Sequence, residues 1–231
     1  MKNQLQNLYK TRFSGDELIN KKNRIWQVLC ANWFQRYIPL PPHTCPSSKP
    51  LITVVDMAAG YCEFINNIEA DYKYAVDLNP DILKYASESI TAIVGTPLDM
   101  AAKVGIETVD AVFLSNFLEH LDTKELVSEV FAQAKSLLRT GGRLLILQPN
   151  IKYTGGKYWD FFDHKLPLTE NALLECAEIH GFRTVACVKK FLPYTTKSTL
   201  PKAPWIVKLY CKLMPFSGWL FGEQSFLVFE K

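Results

Sequence analysis

The chain has 231 residues, 48% hydrophobic and 21% charged, with a formal net charge of +3. That length suits one domain with additions and a sizeable core. The ordinary composition excludes a disordered chain, and a near-balanced charge without a dense Lys/Arg cluster excludes the electrostatic footprint of a nucleic-acid binder.

The six cysteines, at 30, 45, 62, 176, 187 and 211, show no C-x-x-C spacing, so neither a zinc site nor a redox pair is expected, and no metal. His43 and Cys45 lie close together, but in a proline-rich segment with no second ligand pair. Residues 1–10 lack a signal-peptide apolar region, and no run of about 18 uncharged apolar residues exists. With scattered thiols, these features predict a cytoplasmic protein.

In chain order, residues 14–38 are predicted to form a helix, capped by Ser14 or Asp16. Ile25, Val28, Leu29, Trp33 and Tyr37 recur at helical spacing, and this stripe is expected to pack on the main domain as a lid. Five prolines between residues 39 and 50 cannot continue a helix, so residues 1–50 read as an N-terminal helical segment and linker. From Leu51 the pattern changes to short β-rich runs: Leu51–Asp56, Lys73–Leu78, Ile90–Gly95, Val109–Ser115 and Arg143–Gln148. Helical stretches alternate with them: Phe64–Ala70, one from Pro80, a short one after Gly95, and one opened by Asp122 with Glu125 as a capping box. That last helix has one apolar face from Leu126 to Leu138, basic Lys135 and Arg139 near its end, and Gly141-Gly142 as its stop.

Five strand–helix alternations with short connections indicate a doubly wound α/β fold, its mostly parallel sheet covered on both faces. Thr169–His180 then reads as a helix, and Phe182–Val188 and Ser225–Glu230 as final strands. Residues 51–231 are thus the main domain, and 191–222 an α-helical insert before the last strand.

Ligands of open parallel sheets bind beyond the carboxyl ends of the strands. After the first strand comes Asp56-Met-Ala58-Ala-Gly60-Tyr61-Cys62, whose small residues let a ligand approach the backbone. Asp56 is read either as a ligand contact or as an orienting residue that holds the loop. Asp77, twenty-one residues further on at the second strand's end, suits two ribose hydroxyls, with a plain helix cap as the alternative. Asp99 after the third strand is placed to meet an exocyclic amine such as adenine's, or to cap the next turn. Ser115, Asn116, Glu119 and His120 follow the fourth strand. A G-x-G-x-x-G fingerprint fails in both registers around Gly60, where Ala58 and Glu63, or Cys62 and Ile65, stand in place of glycine, so NAD is not expected.

Four blocks together resemble class I S-adenosylmethionine-dependent methyltransferases. They are Val54–Phe64, Tyr74–Pro80, Asp110–Leu121 with Asn-Phe-Leu-Glu-His, and Leu137–Leu147 with its Gly-Gly. The resemblance implies a Rossmann-like sheet of seven strands with the last antiparallel, and S-adenosylmethionine as cofactor. By resemblance, Asp56, Ala58 and Gly60 line the methionine portion, Asp77 the ribose, Asp99 the adenine and Asn116 the sulfonium end, with Tyr61, Leu78 and Ser115 as further cofactor-binding residues. The family usually has glycine where this chain has Ala58, and often where it has Cys62. No Asn-Pro-Pro-Tyr-type block follows the fourth strand, which argues against DNA amino-methylation.

The expected reaction is methyl transfer to an oxygen of a small-molecule, sugar or lipid-linked acceptor. The alternative is a methyltransferase-like scaffold without turnover. An oxygen acceptor needs a base, and His164 and His120 are the candidates. Tyr158, Trp159 and Phe162 would cover the acceptor. Within the insert, Trp205, Leu209 and Leu213 recur every four residues beside Lys208 and Lys212, so residues 204–221 are a candidate for peripheral membrane contact.

Overall fold

The computed structural model describes residues 16–41, 50–194 and 203–231. Ser14, His43, Cys45 and residues 195–202 of the insert lie outside these. Helix α1, Asp16–Asn32, is followed by a 3-10 turn at Phe34–Tyr37, so the helix predicted over 14–38 is broken at Trp33. Packing explains the break. Trp33 leaves helical angles (φ −134°, ψ −65°), and its ring stacks on Phe191 at 4.8 Å while Phe34 enters the core.

The main domain then runs β1 Thr53–Met57, α2 Glu63–Asn67, β2 Tyr72–Asp77, α3 Ile82–Tyr85, β3 Ile90–Val94, α4 Ala101–Val104, β4 Val109–Ser115, α5 Lys124–Leu137 and β5 Leu138–Pro149. It continues with α6 Ile151–Thr154, α7 Glu170–Ile179, β6 Arg183–Val188, α8 Pro204–Lys212, α9 Phe216–Phe221 and β7 Gln224–Glu230. The sheet order is β3-β2-β1-β4-β5-β7-β6. The first five strands are parallel, and β7 runs antiparallel to both β5 and β6. The chain reverses its direction of travel across the sheet between β1 and β4, which opens the ligand crevice at their carboxyl ends.

Strand side chains alternate between faces. Val54, Phe113, Leu145 and Phe226 join one core cluster, while their neighbours Val55, Leu114, Ile146 and Leu227 join the other. The first cluster is covered by α1, and Phe34 sits within it against Phe64, Phe113 and Phe226. The second is covered by α5 and α7 through Val127, Phe131, Leu173 and Ala177.

Local boundaries differ from the sequence expectation for identifiable reasons. Thr123, not Asp122, caps α5, its Oγ1 accepting from the Leu126 N–H at 3.3 Å. Asp122 pairs instead with Lys165 at 2.6 Å. Helix α5 ends at Leu137 rather than at the glycine pair, because Leu138 already pairs with Val109 in the sheet. Arg139 therefore lies on β5, where its Nε donates to Asp110 Oδ1 at 2.5 Å. The glycines form a bulge there. A Cβ on Gly142 would lie 2.9 Å from the carbonyl oxygens of Val109 and Arg139. Helix α3 starts only at Ile82, and Asn66 ends it by donating to the Tyr85 carbonyl and accepting from the Ser87 N–H. Helix α2 is likewise shorter than predicted, leaving helical angles at Ile68. Thr169 caps α7 by accepting from the Ala172 N–H at 3.2 Å.

Candidate active site

The loop after β1 turns on three residues in the left-handed region: Ala58 (φ 60°), Gly60 (φ 54°) and Cys62 (φ 60°). Only glycine adopts this region freely, so Ala58 and Cys62 each hold a strained backbone. Hydrogen bonds compensate. The Ala59 N–H donates to the Val76 carbonyl at 2.9 Å, and the Cys62 N–H to the Ala59 carbonyl at 2.8 Å. Asp77 ties this loop to the next one. Its Oδ2 accepts from the Gly60 N–H and its Oδ1 from the Asn79 N–H, both at 2.8 Å.

A carboxylate has about four acceptor sites, so Asp77 retains capacity for hydroxyl donors. Burial raises its pKa, and the N–H groups of Asn79, Gly60 and Leu78 oppose that rise. Asp56 lies beneath the loop at 2% exposure, and the Ile65 N–H opposes the rise of its pKa. Burial holds its pKa well above the carboxylate range, and Glu63 and Asp77 add to the rise. Tyr61 meets the Tyr85 ring edge-on at 4.6 Å, and the Lys22 ammonium lies 5.8 Å from its centroid. Burial, with Tyr85 and Glu63, moves the Tyr61 hydroxyl to about 12.

Beyond β2, β3 and β4 opens an apolar cleft of about 160 Å³, lined by Leu78, Thr96, Leu98, Phe117, Leu121 and Val130 among others. Asp99 ends the 3-10 turn Pro97–Asp99 in this region, and its side chain lies outside the described residues. Asn116 also has positive φ (49°). Its N–H donates to the Leu147 carbonyl at 2.9 Å, and its Nδ2 to Ser115 Oγ at 3.0 Å. A flat apolar slot, a hydroxyl-accepting carboxylate and a loop with open space above Gly60 fit the three parts of an adenosine-containing cofactor.

The second half of the site lies past β4 and β5. The 3-10 turn Leu118–His120 and the loop containing Phe161 and His164 meet, so the His120 and His164 rings stand edge to face at 5.1 Å. Glu119 joins the two segments, its carbonyl accepting from the N–H groups of Lys165 and Leu166 at 2.8 and 3.1 Å. Its carboxyl is buried at 1% exposure and accepts from Gln148 Nε2 at 3.0 Å. Burial raises the Glu119 pKa against the opposing pull of His120 and Gln148. His120 Nδ1–H donates to the Asp163 carbonyl at 3.0 Å, with Asp163 Oδ2 at 3.6 Å.

His164 is packed among aromatic rings. Phe161 stacks on it at 5.0 Å, Tyr158 lies at 4.7 Å, and the Tyr194 hydroxyl is 3.3 Å from its Nδ1. The three aromatics predicted to cover an acceptor separate. Tyr158 is fully buried and donates to the Leu166 carbonyl, Trp159 is 54% exposed, and Phe162 is 95% exposed. Gln148 and Tyr194 were not anticipated. Tyr194 stands at the base of the insert, and no local pattern ties it to a histidine thirty residues earlier.

The five described cysteines are free, and no described helix is long and apolar enough to cross a membrane.

Residues 55–146 match the model of the methyltransferase domain family. A SAM-dependent methyltransferase from Archaeoglobus fulgidus has a similar structure, with TM-score 0.63 at 19% identity over 98% of this chain and 99% of that one. Another from Thermotoga maritima has TM-score 0.63 at 13% identity over 99% and 96%. A geranyl diphosphate methyltransferase solved with SAM has TM-score 0.56 at 15% identity over 87% and 84%. At such identities these structures show a shared fold, and the domain match adds the chemistry. No curated protein matches the chain. The strand order is the fold that the SAM-dependent methyltransferases above share, and the match makes residues 55–146 a methyltransferase domain. S-adenosylmethionine is its cofactor.

Proposed function

We propose that this enzyme methylates an oxygen of a small-molecule, sugar or lipid-linked acceptor, with His120 and His164 handling the proton. The observation that carries this reading is the meeting of the two imidazoles at the ends of β4 and β5. When bound, S-adenosylmethionine supplies a methyl group on a sulfonium, whose C–S bond breaks as the acceptor oxygen forms its new C–O bond.

Asp77 would accept from the ribose hydroxyls, Leu78 would cover the adenine side, and Asp99 would meet the adenine amine. Ala58, Gly60 and Tyr61 would flank the methionine portion, with Ser115 and Asn116 toward the reacting end. Asp56 would act from below, holding α2 and the loop shape through Ile65. The Asp163 carbonyl fixes the proton on His120 Nδ1, which leaves Nε2 with the lone pair that a general base needs. Tyr158 would order His164, while Trp159 and Phe162 form the rim. The insert 191–222 would shape the acceptor side of the 51–231 domain, and Tyr194 at its base supports that role. The test is S-adenosylhomocysteine release with a panel of hydroxylated acceptors. Turnover lost on blocking the hydroxyl supports the reading, and turnover confined to amines rejects it.

A specific surface favours the lipid-linked member of that acceptor set. Trp205, Leu209, Leu213, Phe216, Trp219 and Phe221 are all exposed on α8, α9 and the turn between them, with Lys208 and Lys212 beside them. Apolar side chains flanked by lysines suit the interface of an anionic bilayer, approached from a cytoplasmic location. Co-sedimentation with phosphatidylserine vesicles, lost in Phe216→Ser/Trp219→Ser, checks this. Equal sedimentation of that variant contradicts it.

A further inference from the structure

The cluster of Glu119, His120 and His164 has a geometry that proton handling alone does not require. One donor atom from each residue lies within 4.8 Å of the other two. His120 Nε2 is 3.9 Å from Glu119 Oε1. That gap is too long for a hydrogen bond. It is close to the spacing of two donors on a shared ion, which is about 3.3–3.5 Å for tetrahedral bonds of 2.0–2.1 Å.

The surrounding contacts present the right atoms. Gln148 occupies Glu119 Oε2 and leaves Oε1 facing the imidazole. The Asp163 carbonyl takes the His120 Nδ1 proton, which orients Nε2 as a ligand, as the outer partners of metal-bound histidines do. Burial supplies a second, independent reason. Glu119 is a buried carboxyl, at 1% exposure, whose Oε1 faces His120. A buried carboxylate is stabilised by a compensating cation.

We propose that Glu119, His120 and His164 bind one divalent transition-metal ion of the zinc class on the acceptor side. Two imidazoles and one carboxylate suit zinc with an open fourth position, and imidazole-rich sets disfavour magnesium and calcium. The inference rests on the oxygen-acceptor reading for its use. With the ion bound, His120 Nε2 would be a ligand in place of a base: the open position would take the acceptor hydroxyl, whose proton the cation makes acidic enough to leave to solvent before the oxygen attacks.

The test uses the whole chain, stripped with EDTA and dialysed, then titrated with Zn²⁺ by calorimetry and with Co²⁺ by visible absorption. The expected result is one saturable site with cobalt ligand-field bands. His120→Ala and Glu119→Gln should each weaken it by roughly a hundredfold or more, above the range for outer partners. His180→Ala is the control, because His180 bonds Ser128 on the α5–α7 face and should leave the site intact. Circular dichroism and S-adenosylmethionine binding establish that each variant is folded. No saturable site, or a site indifferent to both ligand variants, overturns the proposal. Failure here is separable from failure of the acceptor reading. Turnover lost in His120→Ala without any metal site leaves the base role standing. A one-to-one metal site without transfer to hydroxyls leaves the cation standing and removes the O-methylation.

Discussion

Asp77 meets Gly60 across the ends of adjacent strands, while His164 reaches His120 from a separate loop and is held there by Tyr158, Phe161 and Tyr194. In the proposed reading the cofactor half is made of residues at the ends of β1, β2 and β4, and backbone N–H groups set its geometry. The acceptor half is made of side chains on side chains, brought together by the 3-10 turn, the β5 loop and the insert. The first arrangement constrains where a ligand lies. The second, in the proposed reading, would decide what chemistry happens beside it, and the two should fail differently when broken.

The largest expected effect is on the acceptor half. His120→Ala and His164→Ala should each lower kcat by about 10²–10⁴, the range for a lost general base, with S-adenosylmethionine affinity unchanged. Single-turnover kinetics beside calorimetry measures both quantities. Next comes Asp77→Ala. Losing charge-assisted bonds of about 1.5–3 kcal/mol each should weaken cofactor binding roughly ten- to hundredfold.

A smaller effect is expected from pH. Because the fold raises the Asp77 pKa, ionisation of this group is disfavoured in the native state. Its stability contribution is therefore full below its unfolded value of about 3.9 and lost as pH rises through the folded value. The proposed ribose binding by Asp77 has the opposite demand, since it would need the carboxylate. Cofactor affinity should fall on acidification, starting above the ordinary carboxylate range, and Asp77→Asn should flatten that profile. Calorimetry across a pH series checks this, and a profile unaltered in Asp77→Asn would assign the titration to another group.

The smallest effect concerns Ala58. Its left-handed backbone costs roughly 1–2 kcal/mol, and glycine would relieve that while losing about 0.4–1 kcal/mol through the unfolded chain. Ala58→Gly should raise Tm by about 1–3 °C, read by thermal unfolding. A fall in Tm would mean that the methyl group packs usefully.

The two halves also differ in how far they could be read in the sequence. Short apolar strands alternating with helices made the parallel sheet legible, since buried strands and covering helices leave distinct periodicities. The acids at strand ends were legible for the same reason. Chain order alone puts Asp56 and Asp77 at neighbouring carboxyl ends. What stayed hidden was the level of each residue. Asp56 lies under the loop, not on it, buried at 2% exposure. Pairwise choices on the acceptor side were hidden too. Asp163 precedes His164 in sequence but faces His120, and Tyr194 arrives from the insert. The early end of α5 had the same origin, for a strand partner at Val109 outcompeted the helical stop at the glycines.

The central claim is that cofactor binding and proton handling reside in separable halves of one site. Calorimetric titration of S-adenosylmethionine into wild type, Asp77→Ala and His164→Ala tests it most directly. The expected result is wild-type affinity for His164→Ala and at least about tenfold weaker binding for Asp77→Ala. Unchanged affinity in Asp77→Ala, or an equal loss in His164→Ala, would contradict it.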